Sequence, residues 1–206
     1  TDLSWLDAPP EAALVAARGL LHQLAALDGN GRATLLGKRM AELPVHPRLA
    51  RMLLCGRELG LALQACVLAA LLSERDVFQY RPDEQASICT SDLLERYEAV
   101  AGRRRGDGRL RPGAARTVER VAGQFARLMQ VNGGKLFDRT LSEADAGRLL
   151  LAAYPDRAAL QRSGRSERYL LANGRGAVLS RKSGVRNRAL LLAVQVDAGE
   201  QGEGRI

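Results

Sequence analysis

Residues 35–54 read LLGKRMAELPVHPRLARMLL. Proline lacks an amide hydrogen and pushes the residue before it out of the helical region, so Pro44 closes one helix. Pro47 sits where a first helical turn tolerates proline and opens the next, which runs through Leu59. Thr34 predicts the N-cap of the first helix, residues 35–43, and His46 that of the second. In the second helix Leu49, Met52, Leu53, Gly56 and Leu59 share one face, with Arg48, Arg51 and Glu58 on the other, and the place of Arg48 at the hinge suits a structural salt bridge. The stretch is a joint between two helices, basic on both sides, with Glu42 its single carboxylate.

On its N-terminal side, Pro9 and Pro10 open a helix whose Leu14, Ala17, Leu21, Leu24 and Leu27 recur at helical spacing. Asp28-Gly29-Asn30-Gly31 turns the chain, and residues 31–34 read as a short extended piece. On the C-terminal side, residues 61–73 are apolar nearly all round, which predicts a buried central helix. Residues 74–87, with Pro82, form a connection. Two further helices fall at about 90–104 and 113–131, the latter with Val118, Val121, Phe125 and Leu128 on one face. Between them lies the basic, glycine-rich stretch from Arg103 to Pro112. Ser142 and Asp145 form a capping box for a helix ending near Tyr154-Pro155. The texture then changes to strand (168–172), turn (Asn173 to Gly176), strand (177–179) and a third strand over 189–196. The fold class is mainly α with a short β segment at the C-terminus.

With 206 residues, 46% of them apolar, the chain can build a real core. The longest apolar run, 61–72, contains Gln64 and falls short of the roughly 20 residues that span a bilayer. Cys55, Cys66 and Cys89 are odd in number with no C-x-x-C spacing, which predicts a reducing, cytoplasmic setting rather than a disulfide framework or a zinc site. The absence of an initiating Met reads as a fragment. The net charge of +8 is uneven: −1 over residues 1–46, +4 over 47–150 and +5 over 151–206. A polyanionic partner fits that gradient, and so does a basic surface that is merely solvated.

Chemistry is sparse. Gly31 and Gly37 have five residues between them rather than four, with Arg39 where a phosphate loop needs Ser or Thr. Gly174-Arg175-Gly176 lacks the third glycine of a dinucleotide fingerprint. The two histidines, His22 and His46, have no partner at metal-ligand spacing, no serine lies in a G-x-S-x-G elbow, and Asp83-Glu84 sits in a polar loop. No metal or cofactor is expected.

Leu27-Asp28-Gly29-Asn30-Gly31-Arg32, followed by Thr34, Gly37, Met40-Ala41, Leu43-Pro44 and Pro47-Arg48-Leu49-Ala50 with Met52-Leu53, resembles the block that joins the winged-helix and helicase-associated (ratchet) domains of DEAH/RHA-type superfamily 2 helicases. Trp5-Leu6-Asp7 with Pro9-Pro10 resembles the segment leaving that family's second RecA-like motor domain. Ala153-Tyr154-Pro155-Asp156-Arg157-Ala158 and Tyr169-Leu170-Leu171 with Asn173-Gly174-Arg175-Gly176-Ala177 resemble the start of the OB-like domain in its HrpB-type branch. The resemblance implies a winged-helix region (1–46), a helical ratchet domain (47–152) and a partial, truncated OB-like β domain (153–206).

It also implies a non-catalytic accessory region of an ATP-dependent RNA helicase. Such a region guides single-stranded RNA and couples it to RecA-like domains, and ATP and Mg belong to the motor of the full-length parent. Within that frame Arg157, Arg168, Tyr169 and Arg175 are the candidate nucleic-acid-binding residues: cations for phosphates, and an aromatic ring on which a base can stack. The alternatives for two of them are an ion pair between Arg157 and Asp156 and a core position for Tyr169. The competing function is a helical protein-interaction module with no direct nucleic-acid binding. A winged-helix DNA reader is disfavoured, because residues 35–43 offer only Lys38 and Arg39.

Overall fold

The computed structural model describes residues 7–79, 86–103, 110–163, 166–197 and 204–206. Seven helices come first: α1 Glu11–Gln23, α2 Leu35–Ala41, α3 Pro47–Glu58, α4 Ala62–Ser73, α5 Asp92–Val100, α6 Ala114–Leu128 and α7 Glu143–Ala153. A 3-10 turn, Pro155–Arg157, leads into β1 Ala158–Gln161, β2 Arg168–Leu171, β3 Gly176–Val178, β4 Leu190–Leu192 and β5 Gly204–Arg205. Trp5-Leu6 of the opening motif, the Pro82 and Asp83-Glu84 part of the 74–87 connection, the arginine-rich 104–109 and Gly199 lie outside the described residues.

The caps form where the sequence puts them. Thr34 Oγ1 accepts the Gly37 amide at 2.9 Å and His46 Nδ1 that of Arg48 at 3.2 Å. Ser142 Oγ accepts from Asp145 N at 3.0 Å and donates to its carboxylate at 2.8 Å. Helix α2 stops at Ala41, before the expected Leu43, since Pro44 bars Leu43 from the helical region. Helix α1 stops at Gln23 rather than Leu27. Ala25, at φ 56, swings Leu24 and Ala26 into the core, and Leu27 instead bridges Ala33 across the Asp28–Gly31 turn. Gly37 is where α2 touches that segment: a Cβ there would lie 2.1 Å from the Ala26 carbonyl oxygen.

One continuous core runs from Leu24 to Tyr154. Helix α4 is its axis, buried from Gln64 to Leu71 and packed on α3 and α6. A Cβ on Gly56 would meet that of Ala65 at 2.4 Å, so α3 and α4 approach almost backbone to backbone. Two expectations for α3 are overturned. Leu59, placed on the apolar face, is 43% exposed, and Arg48, placed on the polar face, is buried at 8%. Helix α3 packs on α7 as well as α4, and Arg48 at its N-terminus faces the end of α7, where polar partners receive it.

The C-terminal strands form a five-stranded sheet ordered β4-β1-β2-β3-β5, antiparallel except for the parallel β3–β5 pair. Three strands were expected; β1 and β5 are additional, and the third contracts to Leu190–Leu192. Ala159, Tyr169, Leu171, Ala177, Leu179 and Ala193 form a second, small core. So few buried side chains give little independent stability, and the sheet leans on the helices. Leu192 and Val194 pack on the larger core. The Asp92 carboxylate at the start of α5 accepts from Ser183 Oγ at 2.6 Å and Gly184 N at 2.7 Å.

Candidate nucleic-acid interface

The four candidate residues do not form one group. Tyr169 is 1% exposed, its ring inside the β core and its hydroxyl donating to the Arg188 carbonyl at 2.9 Å. The expected base-stacking role is therefore corrected: strand alternation turns residues 169 and 171 inward, so no face of that ring meets solvent. Arg168 and Arg175 are exposed. Arg168 lies opposite Val178, while Arg175 follows the Asn173-Gly174 turn opposite Leu171, about 10 Å further along the strand. Side-chain alternation puts them on opposite faces of the hairpin, so they do not flank a single platform.

Arg157 lies elsewhere, at the joint. It is half-buried, donates to the Val194 carbonyl and lies over the Tyr154 ring at 5.1 Å. The carboxylate beside it in sequence belongs to another arginine. Arg48 grips Asp156 with two parallel hydrogen bonds, 2.6 Å to Oδ1 and 2.9 Å to Oδ2, and donates to the Ala153 carbonyl at 2.9 Å. Its guanidinium also sits 4.9 Å from the centre of the Tyr154 ring. Burial pushes the Asp156 carboxyl up, but the hydrogen bonds and charge of Arg48 outweigh it and hold the group below the ordinary carboxylate value. Burial and the adjacent Arg48 lower the pKa of Arg157, and burial with both arginines lowers that of His46. Thus the stretch 35–54 is pinned to the start of the β domain by a bidentate ion pair around a shared ring.

Sequence reading missed a third cationic feature. Arg116, Arg120 and Arg127 are exposed on α6. At 100° per residue they fall within about 40° of one another, spaced roughly 6 and 10.5 Å along the axis. Among the described residues none of the three enters an ion pair. The opposite side of the helix buries Val118, Val121, Ala122 and Ala126. The signal was legible as R-x3-R-x6-R behind the apolar face. Lys38 on α2 is exposed as well, and Arg39 is half-buried.

Cys89, Asp92 and Glu95 bring their ligand-capable atoms within 4.8 Å of one another. The geometry is that of a clamp: besides Ser183 and Gly184, Asp92 accepts from the Cys89 thiol at 3.4 Å. Burial and the Asp92 carboxylate push that thiol up to about 12, which keeps it protonated.

Comparison with known proteins agrees with this arrangement. The model of the winged-helix part of the helicase associated domain (HA2) matches residues 17–45, and that of its ratchet-like part matches residues 46–113. The ATP-dependent RNA helicase HrpB of Escherichia coli (strain K12) is 32% identical over 191 residues, 93% of this chain and 20% of that protein. The pre-mRNA-splicing factor ATP-dependent RNA helicase prp22 of Schizosaccharomyces pombe is 34% identical over 84 residues, 41% of this chain and 7% of that protein. The crystal structure of the E. coli DExH-box NTPase HrpB superposes with a TM-score of 0.71 at 31% identity, covering 98% of this chain and 21% of that one. A second structure, of the E. coli DEAH/RHA helicase HrpB, gives 0.66 at 31%, covering 95% and 21%. The chain thus spans about a fifth of the length of its HrpB relatives. Among the described residues no helix is long and apolar enough to cross a membrane. The chain carries the winged-helix and ratchet-like helicase-associated (HA2) domains and is homologous, over nearly its whole length, to the C-terminal region of the DEAH/RHA helicase HrpB.

Proposed function

We propose that this chain is a non-catalytic accessory region of an ATP-dependent RNA helicase, which holds a single strand of nucleic acid while RecA-like motor domains of the same parent act on it. ATP and Mg would be bound by that motor. The division is winged helix (1–46), ratchet (47–152) and OB-like β domain (153–206), with the Pro44-Val45-His46-Pro47 joint and the Arg48–Asp156 pair transmitting force between them. The observation that carries this reading is the arginine row on α6. Three exposed cations stand in register on a helix whose other side is locked into the core, and a sequence-independent grip on phosphates needs rigidly spaced charge of this kind. Arg168 and Arg175 are further exposed cations, on opposite faces of the β hairpin.

The test is single-stranded RNA binding as a function of salt, measured by fluorescence anisotropy. Replacing Arg116, Arg120 and Arg127 together by Gln should weaken binding and flatten the log–log salt slope by about 2, at about 0.7 for each phosphate no longer neutralised. An unchanged slope, or no salt-sensitive binding by the parent chain, would count against nucleic-acid guidance; appreciable ATP hydrolysis by this chain would remove the non-catalytic part. A second reading, a protein-interaction module, has its own support. Leu160, Leu170 and Leu190 are paired in register across β4, β1 and β2 and are 58%, 40% and 66% exposed, an apolar row on the outer sheet face. Reversing the charge of Arg168 and Arg175 discriminates: unchanged RNA binding with lost partner docking favours that second reading.

A further inference from the structure

A cleft of about 350 Å³ opens at the joint, lined by His46, Arg48, Ser73, Tyr154 and Arg157 over a floor of leucines. Its charges do not balance. Two guanidiniums face one carboxylate, and Arg48 takes both oxygens of that carboxylate as well as the Ala153 carbonyl. Arg157 keeps only the Val194 carbonyl and the face of Tyr154; among the described residues no carboxylate stands within ion-pair distance of it. Its remaining N–H groups are donors in a partly dehydrated position beside a second cation. His46 spends Nδ1 as the acceptor for the Arg48 amide, which leaves Nε2 to carry the neutral ring's proton. The Ser73 hydroxyl at the rim donates to the Ala70 carbonyl. The cleft therefore offers fixed donors, surplus positive charge and an aromatic wall, and it needs a ligand that brings negative charge and several acceptor oxygens.

We infer that this cleft is a phosphate-binding pocket, with Arg157, held against the Tyr154 ring, and the Nε2–H of His46 as its donors. A tetrahedral phosphate presents oxygens to two donors that come from different elements, whereas a planar carboxylate matches one guanidinium fork, as Asp156 already does for Arg48. The phosphate is supplied by a nucleic-acid backbone or by a free nucleotide. The first source rests on the function proposed above; the phosphate chemistry does not. Bound at this place, a phosphate would touch the α2–α3 joint and the start of the β domain at once.

The experiment follows the His46 ring and the Arg157 Nε–H by NMR in the 206-residue chain, with His22 as internal reference. It uses three titrants: inorganic phosphate, adenosine 5′-monophosphate and a short oligouridylate. Saturable shifts at His46 and Arg157 but not His22 are expected. Arg157→Gln should weaken the affinity at least ten-fold. Because Arg157→Gln also alters the tie to Val194, Ser73→Asp is the second variant. It places a carboxylate at the exposed rim, disturbs no contact of Arg157 and should weaken phosphate binding comparably. Shifts from all three titrants assign a general phosphate site, and shifts from the oligonucleotide alone assign its source to the polymer; both support the pocket. No saturable shift at His46 with any titrant, or wild-type affinity in both variants, would overturn it. The two readings fail separately. If the α6 triple substitution weakens RNA binding while Arg157→Gln and Ser73→Asp do not, the pocket is refuted and the guiding function stands; if phosphate and nucleotide titrate the cleft while RNA shows no salt-sensitive binding, the pocket stands and the guiding function falls.

Discussion

Asp156→Asn is the sharpest probe of the joint, because it keeps the shape of the side chain and deletes its charge. Arg48 is 8% exposed, and the side chains of Arg48 and Asp156 are 9% and 14% exposed, so the pair is largely out of water. After the substitution two neighbouring guanidiniums share one amide oxygen, and the second Arg48 hydrogen bond faces an NH₂ group. Breaking a buried pair by removing one partner costs about 3–5 kcal/mol, and the slight exposure of Asp156 argues for the lower end, about 3. For a chain of this length that is a fall in melting temperature of roughly 6–12 °C. Urea unfolding should show the loss in the midpoint with an unchanged m-value. The pH dependence gives an independent check. Arg48 holds the Asp156 carboxyl below its ordinary value despite burial, so the folded pKa is depressed. The stabilisation is then fully present above the unfolded value near 4 and is lost as pH falls through the lower folded value. The gap between wild type and variant should therefore close below about pH 4. Replacing both partners, Arg48→Met with Asp156→Leu, should recover most of the loss, since an apolar pair needs no charge compensation. A cost under about 0.5 kcal/mol at pH 7, or a gap that persists unchanged to pH 2.5, would refute the view that this pair pins the joint.

Other substitutions separate the contacts that matter from those that do not. Asp76→Asn breaks the Arg96 pair, whose acid is 41% exposed, and should cost less than about 1 kcal/mol by the same urea assay. Gly37→Ala drives a Cβ against the Ala26 carbonyl oxygen and should cost about 2 kcal/mol or more. Gly147→Ala in α7 meets nothing within 4 Å and should be neutral or stabilising by up to about 1 kcal/mol. With its thiol pushed up to about 12, Cys89 is ionised to about one part in 10⁴ at pH 8. Timed iodoacetamide labelling read by mass spectrometry should find it orders of magnitude slower than in unfolded chain, and faster in Asp92→Asn; labelling at the rate of a free thiol would refute the clamp.

What the sequence made legible was local. Thr34, His46 and Ser142 cap helices through atoms two or three residues away, and Pro44 and Pro47 act on their own backbone, so their effects needed no knowledge of the fold. The burial of α4 followed from an apolar surface with no polar side to turn outward. Several of the misses were settled by distant partners. Strand β1 is four residues of ordinary composition that become a strand only between β2 and β4, and β5 pairs with β3 from nearly thirty residues away. Arg48 was legible as a structural salt-bridge residue at the hinge, but not its burial or its partners, because the acceptors lie 105 and 108 residues further along. For Tyr169 the sequence left platform and core both open, because its alternation with Arg168 gives no sign of which face the helices and remaining strands will cover; burial decides for the core.

The same distinction explains why the candidate residues do not form one group. Choosing cations by proximity in sequence to an aromatic favours Arg168 and Arg175, which strand pairing then sends to opposite faces of a hairpin. The α6 arginines recur four and seven residues apart and so share one helix face, and helical periodicity alone would have found them had the polar face been read as carefully as the apolar one. At the joint, neither rule suffices. The surplus charge there depends on which of two arginines captures Asp156, and neighbourhood along the chain favours Arg157. Folding gives Asp156 to Arg48 instead, because α3 and α7 pack side by side and bring the two ends together. That exchange of partners frees Arg157 from its sequence neighbour, and with it creates the feature of the joint that a ligand could use.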